Sequence, residues 1–523
     1  MKIMTTLRCT LLTLGILCFG YGNAQGTRSS GGRLVMNRLN VTTSGYGNAQ
    51  GIRSSDGRLV MNRLNVTTPK LGPVEGLQEP QRYSGYFKLN RTYDAHMFFF
   101  YFSARNAPET APVVLWMTGG PGCSSELAVF FENGPFTITK DLELEETEYG
   151  WDVNSHMIYV DQPINTGFSY SEDDRDRCYD EVCVANDMLD FLVEFFKSLP
   201  ELADRPFFVT GESYAGHYVP AVASRVFLAN AGKELFRPIN LKGLAIGNGL
   251  TVPRVQYGAY ADFAYMHKLI GKSVHDRIMF LYPACRLALD VCQGLSWRLE
   301  CLLAVEFCQA TMFAPILIEN PEINVYDIRK KCVGPLCYDF SRMEEYLNLP
   351  EVRKKLGVGD RKWEACSMSV HQDMMGDWGH AFSNVLPAML EAGIRVMIYA
   401  GDQDLICNWL GNRRWVDQLN WYGMDDWIRA EEETWSVDGE EAGTVTQAGP
   451  LSFVKVFGAG HMVPMDKPKN ALDMITAFTK GSPLGTSASA GSAARAKLLP
   501  GATWTLRGAG RKEGPAAAQA AAQ

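Results

Sequence analysis

The stretch Phe207-Phe-Val-Thr-Gly-Glu-Ser-Tyr-Ala-Gly216 runs from continuous apolar residues into small ones grouped around a single serine. It reads as a buried strand that bends sharply into a helix, a nucleophile elbow with Ser213 at the bend. A bend of this kind tolerates only small residues two positions either side of the serine, and Gly211 and Ala215 stand there. A serine that merely caps a helix after a buried strand would give a similar five-residue match. Partners elsewhere in the chain have to decide between the two.

Working outward, apolar runs suited to strands buried on both faces occur at 83–89, 95–104, 112–117, 156–160, 206–209, 241–246, 394–399 and 451–456. Helical patterns at 185–198 and 214–230 fall between them. Alternation of strand and helix predicts an α/β fold with a mainly parallel, doubly wound central sheet. The segment 251–366 breaks the rhythm with most of the cysteines, helical patches and no buried strand, and reads as an inserted cap. The core is thereby divided into a first part, 71–250, and a second, 367–480.

In folds built on this elbow the acid follows the serine and the histidine follows the acid, each on a loop at the carboxyl end of a strand. Of eight histidines only His461 lies beyond the last strand candidate, in Gly-Ala-Gly-His-Met-Val-Pro. His371 and His380 precede the 394–399 strand, and His217 lies along the helix behind the serine, where it suits packing. Just past the 394–399 strand stand Asp402 and Asp404. Asp404 is far enough round the loop to reach an imidazole and is the choice, with Asp402 as runner-up.

Composition sets limits on class. With 523 residues, 46% of them hydrophobic, the chain can bury a large core, and its net charge of −8 without a Lys/Arg run argues against a nucleic-acid partner. Lys2, Arg8, an apolar run at 11–19 and Gly22-Asn23-Ala24 predict a signal peptide over 1–24. That run is about half the ~20 residues needed to cross a bilayer, and no later stretch is read as long enough, so a soluble secretory-pathway protein without a membrane partner is expected. Residues 21–43 recur at 46–68 with Thr27/Ile52 and Gly31/Asp56 as the visible differences. The segment 25–70 reads as an unstructured leader, and 481–523, rich in Ala, Gly and Ser, as a low-complexity tail. Asn40, Asn65 and Asn90 each head an Asn-x-Thr triplet, an acceptor for N-glycosylation.

Thirteen cysteines are present, and loss of Cys9 and Cys18 with the signal leaves eleven, so one thiol should stay free. Cys285, Cys292, Cys301 and Cys308 have nested spacing that suits two concentric bridges, Cys285 to Cys308 and Cys292 to Cys301. No Cys-x-x-Cys occurs, which favours disulfides over a zinc site in an oxidising compartment.

Six motifs in order carry a resemblance. Trp116-Met-Thr-Gly-Gly-Pro-Gly-Cys-Ser-Ser125, Glu132-Asn-Gly-Pro-Phe136, Gly211-Glu-Ser-Tyr-Ala-Gly-His-Tyr218, Ile246-Gly-Asn-Gly249, Tyr399-Ala-Gly-Asp-Gln-Asp-Leu-Ile-Cys-Asn-Trp409 and Gly458-Ala-Gly-His-Met-Val-Pro464 resemble the serine carboxypeptidases of the carboxypeptidase Y type, the plant-like members above all. The resemblance implies an α/β-hydrolase fold and removal of single residues from the C-termini of peptides or proteins, at acidic pH, through an acyl-enzyme, with no metal or cofactor. It implies Ser213 as nucleophile, His461 as base, Asp404 as its orienting acid, and the N–H groups of Gly120 and Tyr214 as oxyanion hole. Glu132 and Glu212, helped by Gly119 and by Thr118 where the family's commonest residue is Asn, would bind the substrate carboxylate. Met462 would line the leaving-group pocket.

The same resemblance implies bridges Cys123 to Cys366 and Cys332 to Cys337 beside the two concentric ones, and a free Cys407. Cys178 and Cys183 are left as an extra local pair. It also implies a secreted or vacuolar/lysosomal location and leaves homodimerisation open. Two alternatives stand beside peptidase action: an acyltransferase of the same fold using glucose esters, and a non-catalytic binding or stabilising partner. Retention of both Glu132 and Glu212 favours peptides over the first, and an intact set of three favours catalysis over the second.

Overall fold

The computed structural model describes residues 59–63, 81–295, 298–334 and 336–484. The signal segment 1–24, Asn40, Asn65 and the tail from 485 lie outside the described residues. Thirteen strands follow in chain order. The first seven are β1 Leu59–Arg63, β2 Arg82–Lys88, β3 His96–Phe102, β4 Val113–Met117, β5 Phe136–Ile138, β6 Leu144–Glu146 and β7 His156–Val160. The remaining six are β8 Phe207–Glu212, β9 Leu241–Gly247, β10 Arg395–Gly401, β11 Glu433–Val437, β12 Glu440–Ala448 and β13 Leu451–Val456.

Eleven of them make one sheet in the order β1-β2-β3-β7-β4-β8-β9-β10-β13-β12-β11, while β5 and β6 form a separate hairpin. The run from β7 to β13 is parallel throughout, with Leu115 opposite both Ile158 and Val209, and Ile398 opposite both Ile246 and Phe453. Antiparallel strands flank it on both sides. Because the central strands are covered on both faces, successive residues enter different cores. Val113, Leu115, Phe207 and Val209 belong to one, and Val114, Trp116 and Phe208 to the other. That is why these strands read as unbroken apolar runs instead of alternating ones.

The sheet departs from the sequence reading at both margins. Within the segment expected to be an unstructured leader, Leu59–Arg63 pairs antiparallel with β2, Met61 opposite Gly85. The hairpin β11–β12 carries no apolar run, since its strands begin in Glu433 and Glu440-Glu441, yet its turn, Asp438-Gly439, has the two positive φ angles (+52° and +84°) that mark a tight hairpin.

The 251–366 segment is helical among the described residues, with Lys272–Leu295 and Arg298–Cys308 as its long elements. Bridges Cys285–Cys308 and Cys292–Cys301 join them, and their inner faces enter a third apolar cluster with Tyr257, Phe263 and Leu405. The expectation that no later stretch is long enough to cross a membrane is overturned. Lys272–Leu295, with 24 residues, and the continuous helical run Arg298–Glu319, with 22, meet the length and composition for it. In sequence, Arg286 and Asp290 interrupt the first run and Glu300 and Glu306 the second, yet both helices are apolar outside as well as inside. Phe280, Leu287, Leu299 and Leu303 are exposed on them.

Leu115 sits at the middle of the sheet with no exposed surface. Leu115→Ala is expected to lower unfolding stability by about 2–5 kcal/mol, read as a reduced urea midpoint at unchanged slope.

Candidate active site

Ser213 follows β8 directly and adopts φ +65°, the left-handed region that a β-substituted residue enters only at a cost. The helix Ala215–Ala231 begins two residues later, so the chain reverses within Ser213 and Tyr214. The small neighbours are required by distance. A Cβ on Gly211 would lie 2.3 Å from the Met117 carbonyl oxygen and 2.8 Å from Ala215 Cβ. The Ser213 N–H is taken by the Gly247 carbonyl (3.1 Å) and its own carbonyl accepts from Leu250 N–H (2.8 Å), so the bend is pinned to the end of β9.

The carboxyl end of β4 supplies the opposing loop. A Cβ on Gly119 would sit 2.4 Å from Tyr214 N and 2.9 Å from Ser213 Cβ, and Gly120 has φ +111°. The backbone of 118–120 is therefore laid against the elbow with no space for a side chain. Thr118 Oγ1 accepts from the buried Trp116 indole N–H (3.0 Å), which leaves the hydroxyl hydrogen of Thr118 available to a further acceptor.

The next parallel strands end in the acid and the imidazole. Asp404 is fully buried after β10. Its Oδ2 accepts from Asn248 Nδ2 (2.8 Å), Cys407 N–H (3.2 Å) and His461 Nδ1 (2.8 Å), and its Oδ1 from Ile406 N–H (3.1 Å). Asp402 is spent elsewhere, accepting from Gly458 N–H (2.8 Å). With Nδ1 committed to Asp404, the other ring nitrogen of His461 is the one left to act. Nε2 is buried and makes no hydrogen bond among the described residues, the Ser213 hydroxyl included. Hydrogen bonds of this kind are often long or misaligned until a substrate is bound.

Glu212 precedes the serine and Glu132 ends the short helix Glu126–Phe131. Both Glu132 oxygens and Glu212 Oε2 are buried without a conventional hydrogen-bond partner among the described residues. Burial pushes the Glu132 carboxyl up to about 7, although Glu212 and the nearby His461 pull the other way. Burial and then the charge of Glu132 raise Glu212 well above the usual carboxylate range. Two such groups hold a proton between them at acidic pH.

Comparisons with known proteins give the family. A family model described as serine carboxypeptidase matches residues 72–481. The chain belongs to the serine carboxypeptidase family. It is 52% identical over 405 residues to serine carboxypeptidase-like 47 of Arabidopsis thaliana, covering 77% of this chain and 79% of that protein. It is 51% identical to serine carboxypeptidase 3 of Oryza sativa subsp. japonica, over 76% of this chain and 79% of that one. To carboxypeptidase Y of Candida albicans it is 38% identical, over 77% and 73%. The crystal structure of a prohormone-processing carboxypeptidase from Saccharomyces cerevisiae matches with a TM-score of 0.69 at 28% identity, covering 77% of this chain and 92% of that chain.

Around the carboxypeptidase site, further residues came to light that sequence reading gave no role. Asn248 stands in the quoted Gly-Asn-Gly motif at φ +39°, which asparagine tolerates better than most residues, and bridges Asp404 to Gly401 N–H (3.1 Å). Beneath the 119–125 loop, Ser125 donates to the Val160 carbonyl (2.6 Å) and accepts from Thr118 N–H (3.2 Å), while Asp161 accepts from Ser125 N–H (3.1 Å). Glu126, fully buried, takes hydrogen bonds from Ser124 and from Trp363 Nε1. Burial, then Asp161, raises Glu126 well above the usual range. Glu181, likewise buried, is raised by burial and then Asp377.

The remaining predicted residues fall into place around these. Met462 is buried in the second core cluster, and His217 packs on Tyr214 with Nδ1 at the Leu250 carbonyl. Five bridges are formed: Cys123–Cys366, Cys178–Cys183, Cys285–Cys308, Cys292–Cys301 and Cys332–Cys337. Cys407 is free and buried, and burial raises its thiol well above the usual value. Asn90 is exposed on the turn between β2 and β3.

Gly119→Ala is expected to part the 118–120 backbone from the elbow, since the added methyl meets backbone atoms and not a movable side chain. Fluorophosphonate labelling should fall at least about tenfold, with a stability loss of roughly 1–3 kcal/mol by thermal melting.

Proposed function

We propose that this carboxypeptidase releases C-terminal amino acids from peptides, with Ser213 as nucleophile, His461 as general base and Asp404 as the acid that orients it. The observation that carries the reading is the His461–Asp404 hydrogen bond at the strand ends that also present the Ser213 elbow and the Glu132/Glu212 pair. The Ser213 hydroxyl gives its proton to His461 Nε2 as it attacks the last peptide carbonyl. The N–H groups of Gly120 and Tyr214 take the charge that develops on that oxygen. His461 then protonates the departing amine, the former C-terminal residue leaves as a free amino acid, and water hydrolyses the acyl-serine by the same path.

Exopeptidase action needs a grip on a free carboxylate. The protonated Glu132/Glu212 pair donates to it, with Gly119 N–H and the Thr118 hydroxyl alongside, while Met462 borders the leaving side chain. As the medium rises through the value near 7 for Glu132, that carboxyl loses its proton and its charge repels an anionic terminus. The five bridges suit an oxidising compartment and support placement in the secretory pathway, secreted or vacuolar.

The test is a panel of blocked dipeptides and their C-terminal amides at pH 5. Wild type should release free amino acid from the acids far faster than from the amides, and Ser213→Ala should lose activity by at least about a thousandfold. Equal turnover of acids and amides would refute carboxylate recognition, and transfer of acyl groups from glucose esters in place of hydrolysis would select the acyltransferase reading. For peptides with a free terminus, kcat/KM should decline as pH rises through about 7, and Glu132→Gln should flatten that limb.

A further inference from the structure

The segment 324–330, where the chain returns from the cap, touches both loops that carry the triad's acid and base. Leu405 N–H and Ile406 N–H donate to the Val325 carbonyl (3.1 and 3.0 Å), and Ile328 N–H donates to the Gln403 carbonyl (3.0 Å). These contacts bracket Asp404. On the other side, His461 N–H donates to the Tyr326 carbonyl (2.7 Å), and the Tyr326 ring lies against the imidazole with centroids 5.1 Å apart. A Cβ on Gly460 would stand 2.5 Å from the Tyr326 oxygen, so the two backbones are in direct contact.

Charges stiffen this arrangement from within. Asp327, fully buried, is gripped by Arg329 through Nε (2.8 Å) and Nη2 (2.7 Å). The free arm of that guanidinium, Nη1, donates to the Gly458 carbonyl (2.9 Å), three residues before His461. Lys330 Nζ reaches Asp327 (3.0 Å) and Asp466 Oδ1 (3.0 Å), and Asp466 Oδ2 accepts Gly460 N–H (2.7 Å). Asn324 accepts Tyr326 N–H (2.9 Å) and donates to the Cys337 carbonyl (3.1 Å), tying the segment to the Cys332–Cys337 bridge.

We infer that 324–330 is a positioning clip, with Arg329 as its key positioning residue, that fixes His461 relative to Asp404 and couples the cap to the triad. The inference rests on the triad reading above. The loops also meet directly, through Gly458 N–H on Asp402 and Gln403 N–H on the Ala459 carbonyl (2.9 Å), so loss of the clip loosens the pair without dismantling it. A rigid guanidinium that forks to a buried carboxylate and a backbone carbonyl together is poorly replaced by a lysine, whose ammonium is one point charge.

The experiment compares wild type, Arg329→Met and Arg329→Lys on a blocked dipeptide, with rates expressed per active site after fluorophosphonate titration. Arg329→Met should lower kcat by roughly ten- to a hundredfold with KM within about twofold, because misplacement by a fraction of an ångström acts on the chemical step. Labelling of Ser213 should slow in parallel, and Arg329→Lys should recover part of the loss. Folded Arg329→Met with kcat within about twofold of wild type would overturn the clip, as would a loss confined to KM. Should Arg329→Met fail to fold, Lys330→Met, which releases the Asp327 and Asp466 links of Lys330 and leaves Arg329 in place, is expected to lower kcat about threefold, and an unchanged kcat there overturns the inference equally. An inactive wild type would refute the peptidase reading itself, whereas an active wild type with unaffected variants would refute the clip alone.

Discussion

The left-handed backbone of Ser213 is the constraint on which the rest depends. A serine in that conformation is tolerable only if its neighbours hold it there, and they do so from three directions. Gly247 and Leu250 take its backbone groups from β9 and the loop after it. Gly119 presses on it from the end of β4, and Gly211 and Ala215 make room for the turn itself. The long parallel sheet is the structure that delivers these pieces to one edge, because strands β4, β8, β9, β10 and β13 all end on the same side. Ser213, Asp404 and His461 all follow strand ends at that edge.

Much of this was legible in the chain. Strands covered on both faces leave a signature of unbroken apolar residues, and the positions of β4, β7, β8, β9, β10 and β13 followed from it to within a few residues. The order serine, acid, histidine selected Asp404 and His461 because strand ends constrain where such residues can lie. What escaped was carried by geometry with little sequence signal. The β11–β12 hairpin hides its pattern behind glutamates at the sheet's margin, where charge is common and protective. Leu59–Arg63 gains its strand character from the edge of β2 and not from its own composition. Asn248 reaches Asp404 from a different strand, and Asn-Gly in isolation says only that the chain turns.

The insertion is more than a lid over a finished site. Its apolar cluster includes Leu405, the neighbour of Asp404, and its segment 324–330 lies against the loops that carry Asp404 and His461. The apolar cluster of the insertion and the proposed positioning clip therefore share one packed unit, with Val325, Tyr326 and Ile328 packed in or against that cluster. Changing the first without disturbing the second is difficult in close-packed material, where strain passes between neighbours.

The buried carboxyl groups have a consequence for the molecule as a whole. Glu126, Glu132, Glu181 and Glu212 are each pushed above the ordinary carboxylate range chiefly by burial, so the native chain retains protons that the unfolded chain has already surrendered. Between the ordinary value near 4.5 and the native one, about 7 for Glu132, unfolding discharges acid into the solvent. Each retained proton tilts the folding equilibrium by about 1.4 kcal/mol per pH unit, toward the native state in acid and away from it as the medium becomes neutral. The buried His156 and His217, held down to about 4 by burial, work the other way, so the four glutamates favour the native state just below neutrality while these two imidazoles oppose it in stronger acid.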